Sequence, residues 1–227
     1  MELNIFLNVD CMEYMKTVPD KYFDLAIVDP PYGINWDGGN DITKKGRPDS
    51  FDRKNNPKFN KKDWDASPPT KEYWDELFRV SKNQIVWGGN YFTNYLPVKK
   101  CWVFWDKLFD KTFNFSHGEL AWTSWDIRML KVVMSSKAET KGGFDKIHPT
   151  QKPIGLYRWL LKQFAKMGDK ILDTHVGSGS SLIACKELGF DYVGCEIDQD
   201  YFEAAQKRIN KSFRKYELFE GDKDTIR

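Results

Sequence analysis

The apolar run Phe23–Val28 is followed directly by four residues that could take part in binding or catalysis: Asp29, Pro30, Pro31 and Tyr32. Consecutive prolines cannot extend a strand ladder, so the chain must turn at the carboxyl end of the strand, where α/β proteins bind ligands. An exocyclic amine on a planar base needs two hydrogen-bond acceptors and a surface for stacking. We therefore predict that the Asp29 carboxylate, the Pro30 carbonyl and the Tyr32 ring bind such an amine. A rigid structural turn is the alternative interpretation.

A second group of residues lies towards the other end of the chain, where an apolar run ending at Asp173 leads into a Gly-Ser-Gly turn at 177–179. Glycines allow close backbone approach, and the helix that follows offers free amide donors. Glu196 ends the next apolar run, 23 residues after Asp173, where an acid can accept hydrogen bonds from ribose hydroxyls. The third glycine of the dinucleotide fingerprint is missing, which disfavours a dehydrogenase. We expect a nucleoside site.

The segment from Asp37 to Pro69 lacks periodicity and is rich in Gly, Asn, Asp, Lys and Pro. Within it, residues 44–62 carry eight basic and two acidic side chains, a local charge of +6. Such a segment is either a solvated surface loop or a functional loop, and its positive charge would attract phosphates. We interpret it as a basic loop that contacts nucleic acid through Lys44, Lys45, Arg47, Arg53, Lys54, Lys58, Lys61 and Lys62.

Short apolar runs alternate with amphipathic stretches along the rest of the chain, which predicts an α/β fold with a mostly parallel sheet. The length of 227 residues fits one domain. Seven strands are predicted, at Ile5–Val9, Phe23–Asp29, Gln84–Trp87, Trp102–Trp105, Leu120–Thr123, Lys170–Thr174 and Tyr192–Glu196. Five helices are predicted, at Cys11–Thr17, Lys71–Ser81, Ile154–Met167, Ser180–Leu188 and Gln199–Ser212.

The composition narrows the class of protein further. A hydrophobic content of 41% with 30% charged residues is typical of a folded soluble protein. The net charge is only +2, so any attraction for nucleic acid must be local. The absence of a long apolar run and of a signal peptide predicts a cytoplasmic protein with no membrane partner. The four cysteines show no metal-ligand spacing, so no metal is expected.

Three motifs occur in a characteristic order: Asp-Pro-Pro-Tyr at 29–32, His-Pro-Thr-Gln-Lys-Pro at 148–153 and Asp-x-x-x-Gly-Ser-Gly-Ser at 173–180. In this order the chain resembles the amino-group DNA methyltransferases that use S-adenosylmethionine, in particular their circularly permuted β group. The resemblance implies a Rossmann-like S-adenosylmethionine-dependent methyltransferase fold with a seven-stranded sheet in a single catalytic domain over 1–227. It also implies DNA as the partner and a small target-recognition region at about 106–147, and it is compatible with a homodimer.

The resemblance also assigns individual residues. Asp29, Pro30 and Tyr32 would act on the target base, and Trp87–Phe92 resembles a further strand end near that base. The cofactor would be bound by Asp10, Cys11, Asp29, Thr150, Lys152, Asp173, Gly177, Ser178, Gly179 and Glu196. The chain departs from the family at Thr174 and His175, where Pro-Phe is usual.

The resemblance implies direct methyl transfer to the N6 amine of an adenine that is flipped out of the duplex. An Asp at the first motif position favours adenine, while the N4 amine of cytosine stays open as the alternative. Methylation of cytosine carbon 5 is disfavoured because the sequence contains no Pro-Cys nucleophile motif. The motif order disfavours an RNA or protein-glutamine methyltransferase, and the intact Asp29 and Tyr32 disfavour a catalytically silent nucleic-acid-binding relative.

Overall fold

The computed structural model describes residues 1–35, 62–108, 116–136 and 146–221. Within these ranges, eight strands form one sheet in the order β1-β8-β7-β2-β3-β5-β4-β6. The strands are β1 (Ile5–Asn8), β2 (Phe23–Val28), β3 (Ser81–Trp87), β4 (Trp102–Asp106), β5 (Gly118–Thr123), β6 (Leu130–Val133), β7 (Lys170–Asp173) and β8 (Asp191–Glu196). All pairs are parallel except those that β5 makes with β3 and β4. The predicted α/β fold with a mostly parallel sheet is confirmed.

Helices cover both faces of this sheet. The described helices are α1 (Cys11–Lys16), α2 (Lys71–Val80), α3 (Ile154–Phe164), α4 (Ser180–Leu188) and α5 (Gln199–Gly221). Met15 of α1 and Trp74 of α2 belong to one buried core, whereas Leu160 of α3, Ile183 of α4 and Ile209 of α5 belong to a second core. The result is a three-layer arrangement. None of the described helices is long and apolar enough to cross a membrane.

The sequence explains why these elements form and how they pack. Five of the six residues of β2 are buried, as expected for a strand covered by helices on both faces. In α2, Tyr73, Trp74, Leu77 and Val80 recur at helical spacing, and all four are buried. The helix therefore presents one apolar face to the sheet.

The predicted count of seven strands is wrong, because β6 forms an eighth strand at the edge of the sheet, parallel to β4. Three of its four residues are apolar, but the sequence analysis assigned this stretch to the target-recognition region at about 106–147. Some boundaries also differ. The helix α3 ends at Phe164 instead of Met167, α5 continues to Gly221, and β3 begins at Ser81 directly after α2.

The sheet topology brings the ends of distant strands together. The strand β2 pairs in parallel with β7 and β3, while β8 pairs in parallel with β7 and β1. Their carboxyl ends therefore meet along one edge, which we call the carboxyl edge of the sheet. The antiparallel strand β5 begins at this edge, because Ala121 pairs with Trp87 at the end of β3. The residues that follow β1, β2, β7 and β8 consequently lie at the same edge of the sheet as the first residues of β5.

Candidate active site

The Asp29 carboxylate follows β2 at the carboxyl edge and is held by two neighbours. The Tyr32 hydroxyl donates a hydrogen bond to Asp29 Oδ1 over 2.8 Å. The Lys152 ammonium forms an ion pair with Asp29 Oδ2. The Lys152 side chain is 3% exposed and that of Asp29 is 19% exposed, so the carboxylate is oriented from the protein side and remains accessible to a ligand.

An aromatic stack stands beside this carboxylate. The Tyr32 and Tyr91 rings lie nearly parallel, with centroids 4.9 Å apart, and Phe92 meets Tyr32 edge-on. Tyr91 is half exposed. Burial, with Asp29 and Glu119 adding to it, holds the pKa of Tyr32 well above its ordinary value, so the ring stays a neutral phenol. The predicted turn residues Asp29 and Tyr32 thus form one hydrogen-bonded unit with an aromatic platform.

Asp65, which the sequence did not mark, fixes the backbone of the same turn. Its Oδ1 accepts hydrogen bonds from the Tyr32 amide over 2.6 Å and from the Gly33 amide over 2.9 Å. Asp65 is buried. A carboxylate that accepts two backbone hydrogen bonds holds a turn strongly, so Asp65 stabilises the conformation that directs Tyr32 towards Asp29. The segment from Asp37 to Pro69 contains five other aspartates, so nothing in the sequence singled Asp65 out.

The glycine turn after β7 is closed by Glu196. Gly177 and Gly179 have φ values of +54° and +78°, in the left-handed region that favours glycine. Glu196 Oε2 accepts a hydrogen bond from the Gly177 amide over 2.8 Å, and its Oε1 accepts one from the Asp198 amide over 2.9 Å. The carbonyl of Ser178 accepts a hydrogen bond from Arg208. The turn is therefore preorganised at the N-terminus of α4.

Further carboxylates adjoin this turn. Asp173 is buried and accepts hydrogen bonds from Ser181 and from the His175 amide. Burial raises the pKa of Asp173 to about 7, and the Asp29 and Glu196 carboxylates add to the effect. Asp10 begins α1 as its N-cap, accepting a hydrogen bond from the Met12 amide.

The donor set around the turn fits S-adenosylmethionine. The nearby thiol of Cys11 stays protonated, because burial and Asp10 raise its pKa to about 12. The charged groups next to the turn are therefore mainly carboxylates, which suits a ligand with a positively charged sulfur and ammonium. Open glycine backbone and a helix N-terminus complete a cradle for such a ligand.

The loop at 148–153 joins the two halves of the site. A Cβ atom at Gly177 would lie 3.8 Å from the His148 ring, and Ser180 donates a hydrogen bond to the Lys152 carbonyl over 2.7 Å. The exposed residue Thr150 contacts His148 Nδ1. Burial, followed by the charge of Lys152, lowers the pKa of His148 to about 3, so its ring is neutral. Lys152 thus links the start of α4, next to the glycine turn, to Asp29.

The departure at Thr174 and His175 gives a buried hydrogen-bonded group in place of an apolar pair. Thr174 Oγ1 lies 2.7 Å from the Tyr73 hydroxyl and 2.9 Å from His175 Nδ1. Burial lowers the pKa of His175 to about 4. The imidazole is neutral at physiological pH, so it adds no positive charge near the glycine turn.

Of the basic residues predicted to contact nucleic acid, the structure describes Lys62. Its ammonium lies 2.6 Å from Asp198 and 2.7 Å from Asp200, and 4.6 Å from the centre of the Tyr201 ring. The other seven, Lys44, Lys45, Arg47, Arg53, Lys54, Lys58 and Lys61, lie outside the described residues. Lys62 therefore anchors the end of the basic segment beside β8.

Known structures with the same fold define the class of this protein. M1.HpyAVI in complex with S-adenosylmethionine superposes with a TM-score of 0.59 at 17% identity, covering 89% of this chain and 98% of that one. The cytosine-N4-specific PvuII DNA methyltransferase superposes with a TM-score of 0.57 at 12% identity, covering 93% and 90%. The fold is that of the S-adenosylmethionine-dependent DNA methyltransferases.

Sequence comparisons specify the family. The profile of the N6/N4 DNA methylases matches residues 88–207, just over half of the chain, and the chain belongs to that family, which uses S-adenosylmethionine as methyl donor. The Type II methyltransferase M.HinfI of Haemophilus influenzae is 27% identical, over 92% of this chain and 69% of its own length. The Type II methyltransferase M2.DpnII of Streptococcus pneumoniae is also 27% identical, over 90% and 89%. The predicted membership of the amino-group DNA methyltransferases is confirmed.

Replacement of Gly88 by alanine tests the stacked platform. Gly88 has a φ of +65°, and a Cβ atom there would lie 2.3 Å from Tyr32 Cε1. We expect Gly88→Ala to displace the ring and to lower methyl transfer at least about tenfold, a barrier increase of about 1.4 kcal/mol. The dissociation constant for the cofactor, measured by calorimetry, should stay within about twofold.

Gly168→Ala is the matched control, because Gly168 also has a positive φ but a Cβ atom there would meet no other atom within 4 Å. It carries the backbone strain of the substitution without the collision. Equal transfer rates for the two variants would contradict the role of the Tyr32 position.

The pKa of Asp173 predicts a pH-dependent affinity for the cofactor. A cation bound nearby favours the ionised carboxylate, so binding releases the proton that Asp173 holds below pH 7. Ionisation of Asp173 alone should lower the dissociation constant for S-adenosylmethionine about tenfold between pH 6 and pH 8. Asp173→Asn should remove that part of the pH dependence while keeping the titration of the cofactor itself. An identical pH profile in the two proteins would rule the linkage out.

Proposed function

We propose that this chain transfers a methyl group from S-adenosylmethionine to the N6 amine of adenine in DNA. The observation that carries the proposal is the loop at 148–153, which accepts a hydrogen bond from Ser180, next to the glycine turn, at the Lys152 carbonyl and contacts the Asp29 carboxylate through the Lys152 ammonium. A donor bound at the turn and a base bound at Asp29 would therefore meet at one edge of the sheet. Holding two reactants in register in this way contributes several kcal/mol to lowering a barrier.

In this proposal the glycine turn, Glu196, Asp173 and Asp10 bind the cofactor, with Cys11, Ser178 and Thr150 at its borders. The bound cofactor supplies a methyl group that is activated by a positively charged sulfur. Each carboxylate oxygen has two acceptor positions, so Glu196 keeps capacity for ribose hydroxyls beside its two backbone hydrogen bonds. Lys152 contributes to this half through its backbone carbonyl, which Ser180 holds.

The target amine is activated by acceptors on the chain. Its lone pair is delocalised into the base, and hydrogen bonds from its two hydrogens to Asp29 and to the Pro30 carbonyl would draw the nitrogen towards a tetrahedral shape. Tyr32 and Lys152 occupy one position on each Asp29 oxygen, which leaves the second position of each for the amine. Once the N–C bond had replaced the bond between the methyl group and the cofactor sulfur, the surplus proton of the nitrogen would pass to the Asp29 carboxylate or to water.

Stacking stabilises the base outside the duplex. Flipping a base costs a few kcal/mol, and stacking on an aromatic side chain returns about 1–3 kcal/mol. The Tyr32 ring is backed by Tyr91 at 4.9 Å and by Phe92. A platform that is already packed costs little to order when the base arrives.

Adenine is favoured over cytosine because aspartate occupies position 29, the residue associated with adenine in the family that the motifs resemble. Cytosine N4 is the second candidate, since the fold also matches that of a methyltransferase described as cytosine-N4-specific. The two amines present the same chemical problem, so the nucleoside product distinguishes them.

The basic segment is proposed to bind the DNA backbone. Lys62, the last of the eight basic residues, pairs with Asp198 and Asp200, which follow Glu196 beside the glycine turn. Because DNA is the proposed substrate, we place the protein in the cytoplasm.

The direct test is incubation with methyl-labelled S-adenosylmethionine and unmethylated duplex DNA, followed by digestion and nucleoside separation. We expect label in N6-methyldeoxyadenosine. Asp29→Asn removes the charged acceptor and should lower transfer at least about 100-fold, with the cofactor dissociation constant changed less than about threefold.

The control is Asp24→Asn, at the other end of β2, where Asp24 pairs with Lys82 away from the carboxyl edge. It should transfer at the wild-type rate. Label in N4-methyldeoxycytidine would establish the second candidate, and label only in RNA or in no nucleoside would refute the proposal.

Charge reversal tests the basic segment. Lys54→Glu combined with Lys58→Glu should weaken DNA binding. It should also reduce the slope of log K against log salt by the equivalent of about two to four phosphate contacts, because binding releases fewer counterions when fewer phosphates are neutralised. The control is Lys16→Glu with Lys166→Glu. Both lysines are exposed and lie towards the opposite edge of the sheet: Lys16 ends α1, and Lys166 precedes β7. If both pairs give the same salt dependence, the segment does not bind phosphates.

A further inference from the structure

Glu119, at the start of β5, joins the Asp29 carboxylate to a row of alternating charges. Glu119 Oε2 lies 3.2 Å from the Lys152 ammonium, and its Oε1 lies 2.5 Å from the Lys107 ammonium. Lys152 in turn contacts Asp29. The order along the row is Asp29, Lys152, Glu119 and Lys107, so each charge has an opposite charge beside it.

Two indole rings pack against the two lysines of this row. The Lys152 ammonium lies 5.2 Å from the centre of the Trp87 ring, and that of Lys107 lies 5.1 Å from the centre of the Trp105 ring. The two indoles are themselves in edge-to-face contact at 6.0 Å, and both are buried. Electrostatic interactions are stronger in such surroundings, and a buried ammonium that loses a partner is destabilised.

The charges fix the protonation state of the row. Burial alone would lower the pKa of Lys152, but Asp29 and Glu119 raise it above its ordinary value. Burial alone would raise the pKa of Glu119, but Lys152 and Lys107 hold it below its ordinary range. Lys152 and Glu119 are therefore both charged at neutral pH.

We infer that Glu119 is a positioning residue for methyl transfer, acting through Lys152 on the Asp29 carboxylate. This inference rests on the proposed function. Lysine has a long flexible side chain with three donors, and the Glu119 carboxylate orients the ammonium that pairs with Asp29. Without Glu119 a second donor of that ammonium would turn to Asp29 and compete with the target amine for the acceptor positions.

Glu119→Gln tests the inference, because the amide keeps the size of the side chain and removes its charge. We expect the maximal transfer rate to fall about tenfold or more, with unchanged affinity for S-adenosylmethionine. The alkaline limb of the pH–rate profile should move to lower pH, since Lys152 loses one of the two carboxylates that raise its pKa. A purely structural ion pair would not move that limb.

Two further variants separate positioning from folding. Glu119→Asp keeps the charge and should transfer faster than Glu119→Gln. In a Lys152→Met background, Glu119→Gln should have little additional effect, because Glu119 acts through Lys152. The control is Glu76→Gln, which breaks a similarly exposed ion pair with Arg79 on α2 and should leave transfer unchanged.

The inference is overturned if Glu119→Gln transfers at the wild-type rate, if Glu119→Asp and Glu119→Gln are equally impaired, or if the Lys152→Met and Glu119→Gln effects add. All rates are compared with the wild-type protein on the same DNA. Absence of transfer by the wild-type protein would refute the proposed function, which is a separate result from any difference among these variants.

Discussion

The parallel pairing of β2 with β7 is the constraint on which the site depends. Leu25 lies opposite Ile171 and Ala26 opposite Leu172, so the two strands end side by side and direct Asp29 and the glycine turn to one edge. A slip of one residue would turn every side chain of a strand to the other face. Because β2 is buried on both faces, its neighbours on both sides and the helices above and below hold this register.

Charge at the carboxyl edge is arranged by burial as much as by residue type. The side chains that would add unwanted charge are kept neutral by their surroundings, namely Cys11, Tyr32, His148 and His175. The carboxylates either face a lysine, as Asp29 does, or adjoin the glycine turn, as Asp173 and Glu196 do. The edge therefore offers negative charge to a cation in one half and a neutral, apolar platform to a base in the other.

Local patterns made much of the fold and part of the site predictable. An apolar run that ends in a proline pair identified β2, and one that ends in a glycine turn identified β7. Both signals are local, because these residues end a strand within a few positions of themselves in the chain. Glu119 and Asp65 could not be found in this way. Their roles come from the antiparallel register of β5 and from a contact between residues 33 positions apart, which no periodicity records. The edge strand β6 was missed although three of its four residues are apolar, because the run is short and was assigned to the target-recognition region.

The order of the strands has a consequence for biosynthesis. The first strand pairs with the last, and Asn8 meets Glu196 across 188 residues of chain. On the ribosome, β1 emerges long before its partner β8, and β2 can pair with β3 but must wait for β7, so each keeps an unpaired side until most of the polypeptide is made. Contacts this distant slow folding, and open strand edges favour aggregation. Expression yield should therefore depend more on elongation speed and chaperone supply than in relatives whose neighbouring strands are consecutive in the chain.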